Sequence, residues 1–309
     1  MSGLLAAASA NADHLQGVSA SDLYQTAPAE LKRIAPDLYF FHNDATVNSA
    51  FLVTPQGVLV VDTTEHPADA RALMARIRAV TDRPVRWAIN THAHGDHYLG
   101  NSAFKDAGAT IVAHRDTAAM MRAHYDYELS RRADVFKRRK LDTKELRLVL
   151  PDVTFDRSMA IELGGRTVNV GYLGPGQNPG DTLVYFPHAR AVYVGGPFAR
   201  RNISNLSFTP SVEGWMALLS KIADLDVDVY LPGHGGPGTR ADLLDEVKLL
   251  ADLQSGVRAS VARNQSPDDM LKELTFREYK GLRNYDRLHA QLLALRQLII
   301  TGKPVIALP

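Results

Sequence analysis

Short blocks of hydrophobic residues, separated by turn-forming residues, dominate the first half of the chain. Pro55-Gln56-Gly57 is a turn signal between two such blocks, which are rich in β-branched and aromatic residues. Apolar residues within 70–80 then recur at the spacing of an amphipathic helix that starts near Pro67. The segments that we predict as strands are 38–41, 50–53, 58–61 and 85–89.

The second half repeats this order of strands followed by a helix. A helical pattern across residues 215–222 lies before the last strand-like block. Two β-rich halves flanked by helices predict an α/β protein, of the α+β kind, with two sheets face to face and helices outside. The chemistry is then expected where strand ends meet. The predicted strands of this half are 159–163, 166–172, 183–186, 191–194 and 227–231.

Two segments extend this β-rich unit. Residues 114–150 are charged and helical in pattern, with basic clusters at Arg131-Arg132 and Lys137–Lys140. They form either a solvated helical insertion or a lid over the cleft that attracts an anionic substrate. We predict an N-terminal extension at 1–30, a main domain at 31–238 that contains this insertion near 114–150, and a C-terminal helical extension at 239–309.

The C-terminal extension has two sequence signals of its own. Thr239 followed by Asp242 is a capping-box pattern that predicts the start of a helix. Near the end of the chain, an apolar stripe is broad for a lone surface helix and packs either on the domain or in a homodimer contact. The stripe consists of Leu288, Leu292, Leu295 and Ile299, widened by Leu293, Leu298 and Ile300.

The composition limits the classes of function. The 35 Lys and Arg residues nearly balance 34 Asp and Glu residues, so the net charge of +1 gives no reason to expect binding to nucleic acid or to a membrane. We therefore expect a small-molecule substrate. The sequence contains no Cys, which excludes disulfides and thiolate ligands and leaves His and carboxylate side chains for any metal site.

The location in the cell is less constrained. No apolar run approaches the roughly 20 residues that cross a bilayer, so we expect a soluble protein. Residues 1–12 are apolar and end in small residues, but they lack the basic start of a secretory signal. A cytoplasmic location is therefore favoured, while a periplasmic or secreted one stays open.

One short loop after a predicted strand concentrates four ligand-capable side chains. The loop contains His92, His94, Asp96 and His97, and we expect a short helix after it. In an extended segment, residues two apart point the same way, so His92 and His94 can hold one ion while the turn directs Asp96 and His97 toward a second. This density of imidazole and carboxylate groups predicts a metal centre.

Residues 91–100 (THAHGDHYLG) resemble the signature of the metallo-β-lactamase superfamily. Three further segments agree with that family in order and spacing, over about residues 36–236. Asp62 resembles the family's strand-end Asp, residues 174–181 its third-histidine loop, and residues 232–235 its last-histidine loop. The resemblance implies a four-layer αββα sandwich of the metallo-β-lactamase type, followed here by the helical extension.

The resemblance also implies two adjacent metal sites. The first would be held by His92, His94 and the residue at position 177, and the second by Asp96, His97 and His234. Asp62 and Asp181 would either orient the ligands from behind or make only structural hydrogen bonds.

Two positions depart from the family's ligand pattern. Gln177 stands where most relatives have His, and its neutral amide oxygen is a poorer zinc donor than imidazole. Pro197 stands where many hydrolases of the family have a metal-bridging Asp, and it offers no side-chain donor. We therefore expect one Zn²⁺ rather than two, in the second site, with iron or another divalent metal as alternatives.

The expected function is hydrolysis by metal-bound hydroxide, with Asp96 and His234 as the catalytic residues. The sequence contains neither a Gly-x-Ser-x-Gly nucleophile elbow nor a Cys to compete for that role. The expected substrate is a small molecule with a carbonyl centre, such as a lactone, an ester or an amide, including a β-lactam. The alternative is a non-hydrolytic or metal-depleted member of the fold, with a binding role or with redirected chemistry such as iron redox.

Overall fold

The computed structural model describes residues 29–43 and 46–308. Residues 1–12, which carry the question of a secretory signal, lie outside the described residues, as does nearly all of the predicted extension at 1–30. Within the described part of the chain, no helix is both long enough and apolar enough to cross a membrane.

The first half of the chain forms a seven-stranded sheet in which the strands lie in chain order. Strands 1 to 4 pair antiparallel as a meander, and strands 4 to 7 pair parallel because helices connect them. The strands are β1 (Glu30–Arg33), β2 (Leu38–His42), β3 (Ser49–Thr54), β4 (Gly57–Val61), β5 (Val85–Ile89), β6 (Thr110–His114) and β7 (Val153–Phe155).

The second half forms a five-stranded sheet, which begins with an antiparallel meander and ends in a parallel pair. Its strands are β8 (Ser158–Leu163), β9 (Arg166–Gly171), β10 (Leu183–Phe186), β11 (Ala191–Ala199) and β12 (Val229–His234). The helices are α1 (Pro67–Arg78), α2 (Gly95–Tyr98), α3 (Asn101–Asp106), α4 (Arg115–Arg138), α5 (Val212–Ala223), α6 (Arg240–Ala262), α7 (Pro267–Glu273) and α8 (Leu288–Thr301).

Three apolar clusters hold these elements in layers. Between the sheets, residues such as Phe40 of β2 and Tyr193 of β11 are fully buried. Helices α1 and α3 cover the outer face of the first sheet, and α5, α6 and α8 cover that of the second, around the fully buried Trp215. The predicted four-layer αββα sandwich with C-terminal helices is therefore confirmed.

The C-terminal apolar stripe packs on the domain in this structure. Leu288, Leu292 and Leu295 of α8 are buried in the same cluster as Trp215. Leu293 stays 41% exposed and Ile300 52% exposed. A homodimer contact through these helices stays a prediction, and these two side chains are where it would form.

Glu246 of α6 is a buried acid outside the ligand loops, and it makes stability depend on pH. Its carboxylate accepts a hydrogen bond from Oγ of Ser204 (2.7 Å), and burial raises its pKa to about 8. Because the folded-state pKa exceeds the roughly 4.3 of a free Glu, its contribution to stability is complete below that pH and is lost as the pH rises through about 8.

We expect Glu246→Gln to remove the loss of stability that Glu246 causes at high pH. Between pH 5 and pH 9, the free energy of unfolding of the variant should rise relative to that of the wild type by about 4 kcal/mol. Urea denaturation at both pH values measures the difference. Asp245→Asn, an exposed neighbour on α6, is the matched control and should show no such gain. Parallel pH profiles for wild type and Glu246→Gln would contradict the interpretation.

Candidate metal centre

The ligand-capable side chains meet at one end of the sandwich because the strands that carry them end there. β4 and β5 are parallel, so the loop that starts after Ile89 leaves the sheet beside Asp62. His94 is still extended and serves as the N-cap of α2, the single turn that contains Asp96 and His97. In the other sheet, β12 ends at His234.

Asp62 lies beneath this loop and fixes the orientation of two imidazoles. Its backbone has a φ of 61°, a strained conformation that is common at functional positions. Nδ1 of His97 lies 2.6 Å from Oδ2 of Asp62 and donates to it. Nδ1 of His92 lies 2.9 Å from Oγ1 of Thr91, and the Thr91 hydroxyl donates to Asp62. In both rings, Nε2 is left with a free lone pair.

Two buried histidine nitrogens in this arrangement have no hydrogen-bond partner in the described part of the chain and could bind a cation. Nε2 of His92 and Nε2 of His97 are buried, and neither has a hydrogen-bond partner among the described residues. A buried polar atom without a partner is costly unless something binds it. Asp62 also clusters with these two rings. Because its oxygens already accept from Thr91 and His97, it positions the ligands rather than serving as one.

Donor atoms of the second predicted site converge. Oδ2 of Asp96 lies 3.2 Å from Nε2 of His234 and 3.7 Å from Nε2 of His97. Burial disfavours a charge on His97, but Asp62 and Asp96 outweigh it and raise its pKa. Two imidazoles and one carboxylate, with an open side toward solvent, are the donor set of a catalytic zinc site. These three residues fit one divalent cation.

The first predicted site is poorer in donors. Oε1 of Gln177 and Nε2 of His92 both lie close to the backbone of Gly196, since a Cβ added there would be 2.5 Å from the first atom and 2.7 Å from the second. Nε2 of His94 lies 3.3 Å from Nδ2 of Asn178, whose amide donates to it. Burial lowers the pKa of both His92 and His94 well below the usual range, so both rings are neutral. The site combines two imidazoles with amide groups, and it lacks a carboxylate.

Asp181 and Pro197 shape the surrounding loops. Oδ2 of Asp181 accepts the backbone N–H of Asn178 (2.7 Å), and burial raises the pKa of this carboxyl to about 8. Asp181 thus supports the backbone that carries Gln177. Pro197 lies within β11, where its carbonyl accepts from Nε1 of Trp215 (2.9 Å). Neither residue supplies a donor atom to the histidine cluster.

Arg132 of α4 joins the insertion to the ligand loop. Its guanidinium donates to Oδ1 of Asp96 and to Oε2 of Glu128, and its Nε lies 3.2 Å from Oε1 of Glu65. Oε2 of Glu128 also accepts the backbone N–H of Gly95 (2.8 Å). Burial alone would raise the pKa of Asp96, but Arg132 and His97 outweigh it and lower that pKa well below its usual range. Asp96 is therefore ionised and offers only Oδ2 to a cation.

The cluster opens into a cleft of about 350 Å³. Its lining includes His94, Asp96, Gln177 and His234, so four of the predicted site residues reach it. α4 forms one wall, and residues 202–207 with the C-terminal segment 284–291 form the other. A cleft of this size admits a small molecule.

These features define a protein of the metallo-β-lactamase class. A family model described as the metallo-β-lactamase superfamily matches residues 43–234, which is more than half of the chain. The chain belongs to this superfamily. As in other members, divalent metal binding is expected of it, and the structure supplies the candidate His and Asp groups.

Three similar proteins illustrate its relatives. The linear primary-alkylsulfatase of Pseudomonas sp. (strain ATCC 19151) is 23% identical over 71% of this chain and 48% of its own length. The 2,4-dinitroanisole O-demethylase subunit alpha of Nocardioides sp. (strain JS1661) is 27% identical over 58% of this chain and 49% of its own. The chain thus spans about half the length of these two curated relatives. A solved sec-alkyl sulfatase covers 92% of this chain and 51% of its own, with a TM-score of 0.72 and 17% identity.

Sequence reasoning did not assign Asn178 or Arg132 to this site. Asn178 directly follows Gln177, yet nothing in the sequence marks its amide as the partner of His94. The pair Arg131-Arg132 is visible as a basic cluster, and Glu128 precedes Arg132 by one helical turn. The contact with Asp96 spans 36 positions, so no local pattern could have indicated it.

Proposed function

We propose that this protein is a metal-dependent hydrolase of a small molecule with a carbonyl centre, such as a lactone, ester or amide. The observation that supports it is the convergence of Oδ2 of Asp96 with Nε2 of His97 and of His234 beside an open cleft. A divalent cation held by these three residues would lower the pKa of a coordinated water toward ~7, and so would supply hydroxide near neutral pH.

The chain's own residues divide the remaining tasks. Asp96 is held ionised by Arg132, so it provides negative charge and one ligand oxygen and is a weak proton acceptor at neutral pH. His234 keeps 24% of its side chain exposed and faces the cleft, where substrate enters. Asp62 holds the ring of His97 in the tautomer that presents Nε2.

A single cation fits these donors better than two. The second site keeps three strong donors, whereas Gln177 and Pro197 leave the first with two imidazoles and an amide oxygen. Zinc is the proposed metal, with iron as the alternative, since imidazole and carboxylate ligands suit both. A mononuclear site favours attack at a carbonyl over the two-metal clamping of a phosphodiester.

Metal removal tests this proposal. Wild-type protein stripped with a chelator should lose hydrolysis of carbonyl substrates, and one equivalent of Zn²⁺ or Fe²⁺ should restore it. The panel contains a γ-lactone, 4-nitrophenyl acetate, a chromogenic β-lactam and, because one curated relative is named an alkylsulfatase, a primary alkyl sulfate. Hydrolysis that persists in the stripped protein would refute metal dependence, and turnover of the alkyl sulfate alone would refute the carbonyl preference.

One observation favours the second candidate, a metal-depleted binding protein. Arg132 already neutralises the Asp96 carboxylate, so the cluster is charge-compensated without a cation. That candidate predicts no activity on any substrate of the panel, whether metal is removed or added.

A further inference from the structure

Five arginine side chains line the cleft, and the carboxylates around it pair with three of them. Arg131 pairs with Glu128, Arg132 with Glu65, Asp96 and Glu128, and Arg139 with Glu65 and Asp69. The other two are Arg138 and Arg287, which have no ion pair among the described residues.

Arg138 and Arg287 reach the cleft from segments that are far apart in the chain. Arg138 is the last residue of α4, and Arg287 ends the 3₁₀ turn Tyr285–Arg287 of the C-terminal extension. That extension is fixed to the cleft wall, because Nδ2 of Asn284 donates to Oδ1 of Asn202 (2.8 Å) and Ile203 donates its N–H to the Arg283 carbonyl (2.8 Å). These contacts fix the backbone from which Arg287 extends into the cleft.

The same cleft offers an apolar surface. Tyr127, Val135 and Ile203 line it, and Tyr127 is 38% exposed, so part of its ring is available to a ligand. The guanidinium of Arg131 lies over the rings of Tyr127 and Phe208, 5.9 and 5.8 Å from their centroids. A ligand body that contacts this wall would be apolar or aromatic.

We propose that Arg138 and Arg287 bind the anionic group of the substrate, so that the substrate class is a small organic oxyanion with an apolar body. Guanidinium groups recognise carboxylate and sulfate oxygens through paired N–H donors. The two guanidinium groups have no carboxylate partners among the residues that the structure describes and lie in the same cleft as the metal centre, so these positive charges repel one another. An anion bound between them would offset that repulsion. The C-terminal extension then completes the binding site.

This inference deepens the proposed function and rests on it for the location of the substrate. Binding is therefore tested without hydrolysis, by calorimetric titration of the wild-type protein at low ionic strength. The ligands are hexane-1-sulfonate, hexanoate and the neutral match hexan-1-ol, none of which the protein can hydrolyse. We expect both anions to bind at least about 10-fold more tightly than hexan-1-ol, and added salt to weaken them.

Four variants assign the binding to the two arginines. Arg138→Gln and Arg287→Gln should each weaken the binding of hexane-1-sulfonate by about 5- to 10-fold. The matched controls are Lys137→Gln, beside Arg138 on α4, and Arg277→Gln, in a neighbouring 3₁₀ turn outside the cleft. Both control residues are exposed, and both variants should bind like the wild type.

Two results would overturn the proposal. One is unchanged affinity in both Arg138→Gln and Arg287→Gln, and the other is equal binding of hexan-1-ol and the anions. A tighter fit of the sulfonate or of the carboxylate identifies which oxyanion the cleft prefers, and either supports the proposal. If the anions bind as expected while the panel of substrates stays inert, the proposed hydrolysis fails and the oxyanion site stands.

Discussion

Replacing Asp96 with Asn is expected to abolish tight metal binding without unfolding the sandwich. The guanidinium of Arg132 has donors but no acceptor, so the amide oxygen of the new side chain turns toward Arg132 and its NH₂ group toward His97 and His234. An amide NH₂ has no lone pair to offer a cation. Zinc affinity should fall by more than about 100-fold, beyond the roughly 10- to 100-fold lost with an outer-shell partner, and hydrolysis should fall with it.

Two histidine variants locate the cation. His234→Ala should behave like Asp96→Asn, because it removes another donor of the same cluster. His92→Ala should cost much less, because its ring belongs to the site weakened by Gln177. Competition with a chromophoric chelator measures zinc affinity, and circular dichroism melts check the fold. Loss of zinc in His92→Ala together with retention in Asp96→Asn would place the metal in the first site.

Replacing Arg132 with Met is expected to destabilise the fold strongly, even without metal. The change removes the guanidinium that pairs with Asp96, Glu128 and Glu65, and all three carboxylates are largely buried. Removing one partner of a buried ion pair typically costs about 3–5 kcal/mol. Urea denaturation of metal-free protein should show a loss of this size in the free energy of unfolding.

Arg131→Met is the matched control on the same helix. Arg131 is 30% exposed at its side chain, and its one ion pair among the described residues is with Glu128, which also pairs with Arg132; its removal should therefore cost no more than about 1 kcal/mol. Equal losses in the two variants would show that the contacts of Arg132 with Asp96 and Glu65 do not stabilise the fold.

The sandwich was predictable because its core strands have a local pattern. β2, β3 and β4 are apolar runs bounded by turn residues, and the structure gives them within one residue of the predicted limits. β6 was not predicted, because its apolar run at residues 111–113 is too short to distinguish a strand from a buried helix, and only its last residue, His114, falls in the charged segment 114–150. β7 was missed because two of its three residues are exposed, so it lacks an apolar face.

The ligand cluster was predictable for a different reason. His92, His94, Asp96 and His97 lie within six positions of the sequence, and the family resemblance supplied His234. The cleft walls were not predictable, because they depend on contacts between segments far apart in the chain. Arg287 lies about 150 positions from Arg138, and only the packing of the C-terminal extension on residues 202–203 brings both to one cleft.

The central claim, that one cation is held by Asp96, His97 and His234, is tested most directly by counting zinc. The measurement is elemental analysis of the wild-type protein after dialysis against a weak chelator. The account predicts one equivalent of zinc per chain. Two equivalents that survive dialysis would contradict it, because Gln177 and Pro197 would then not have weakened the first site.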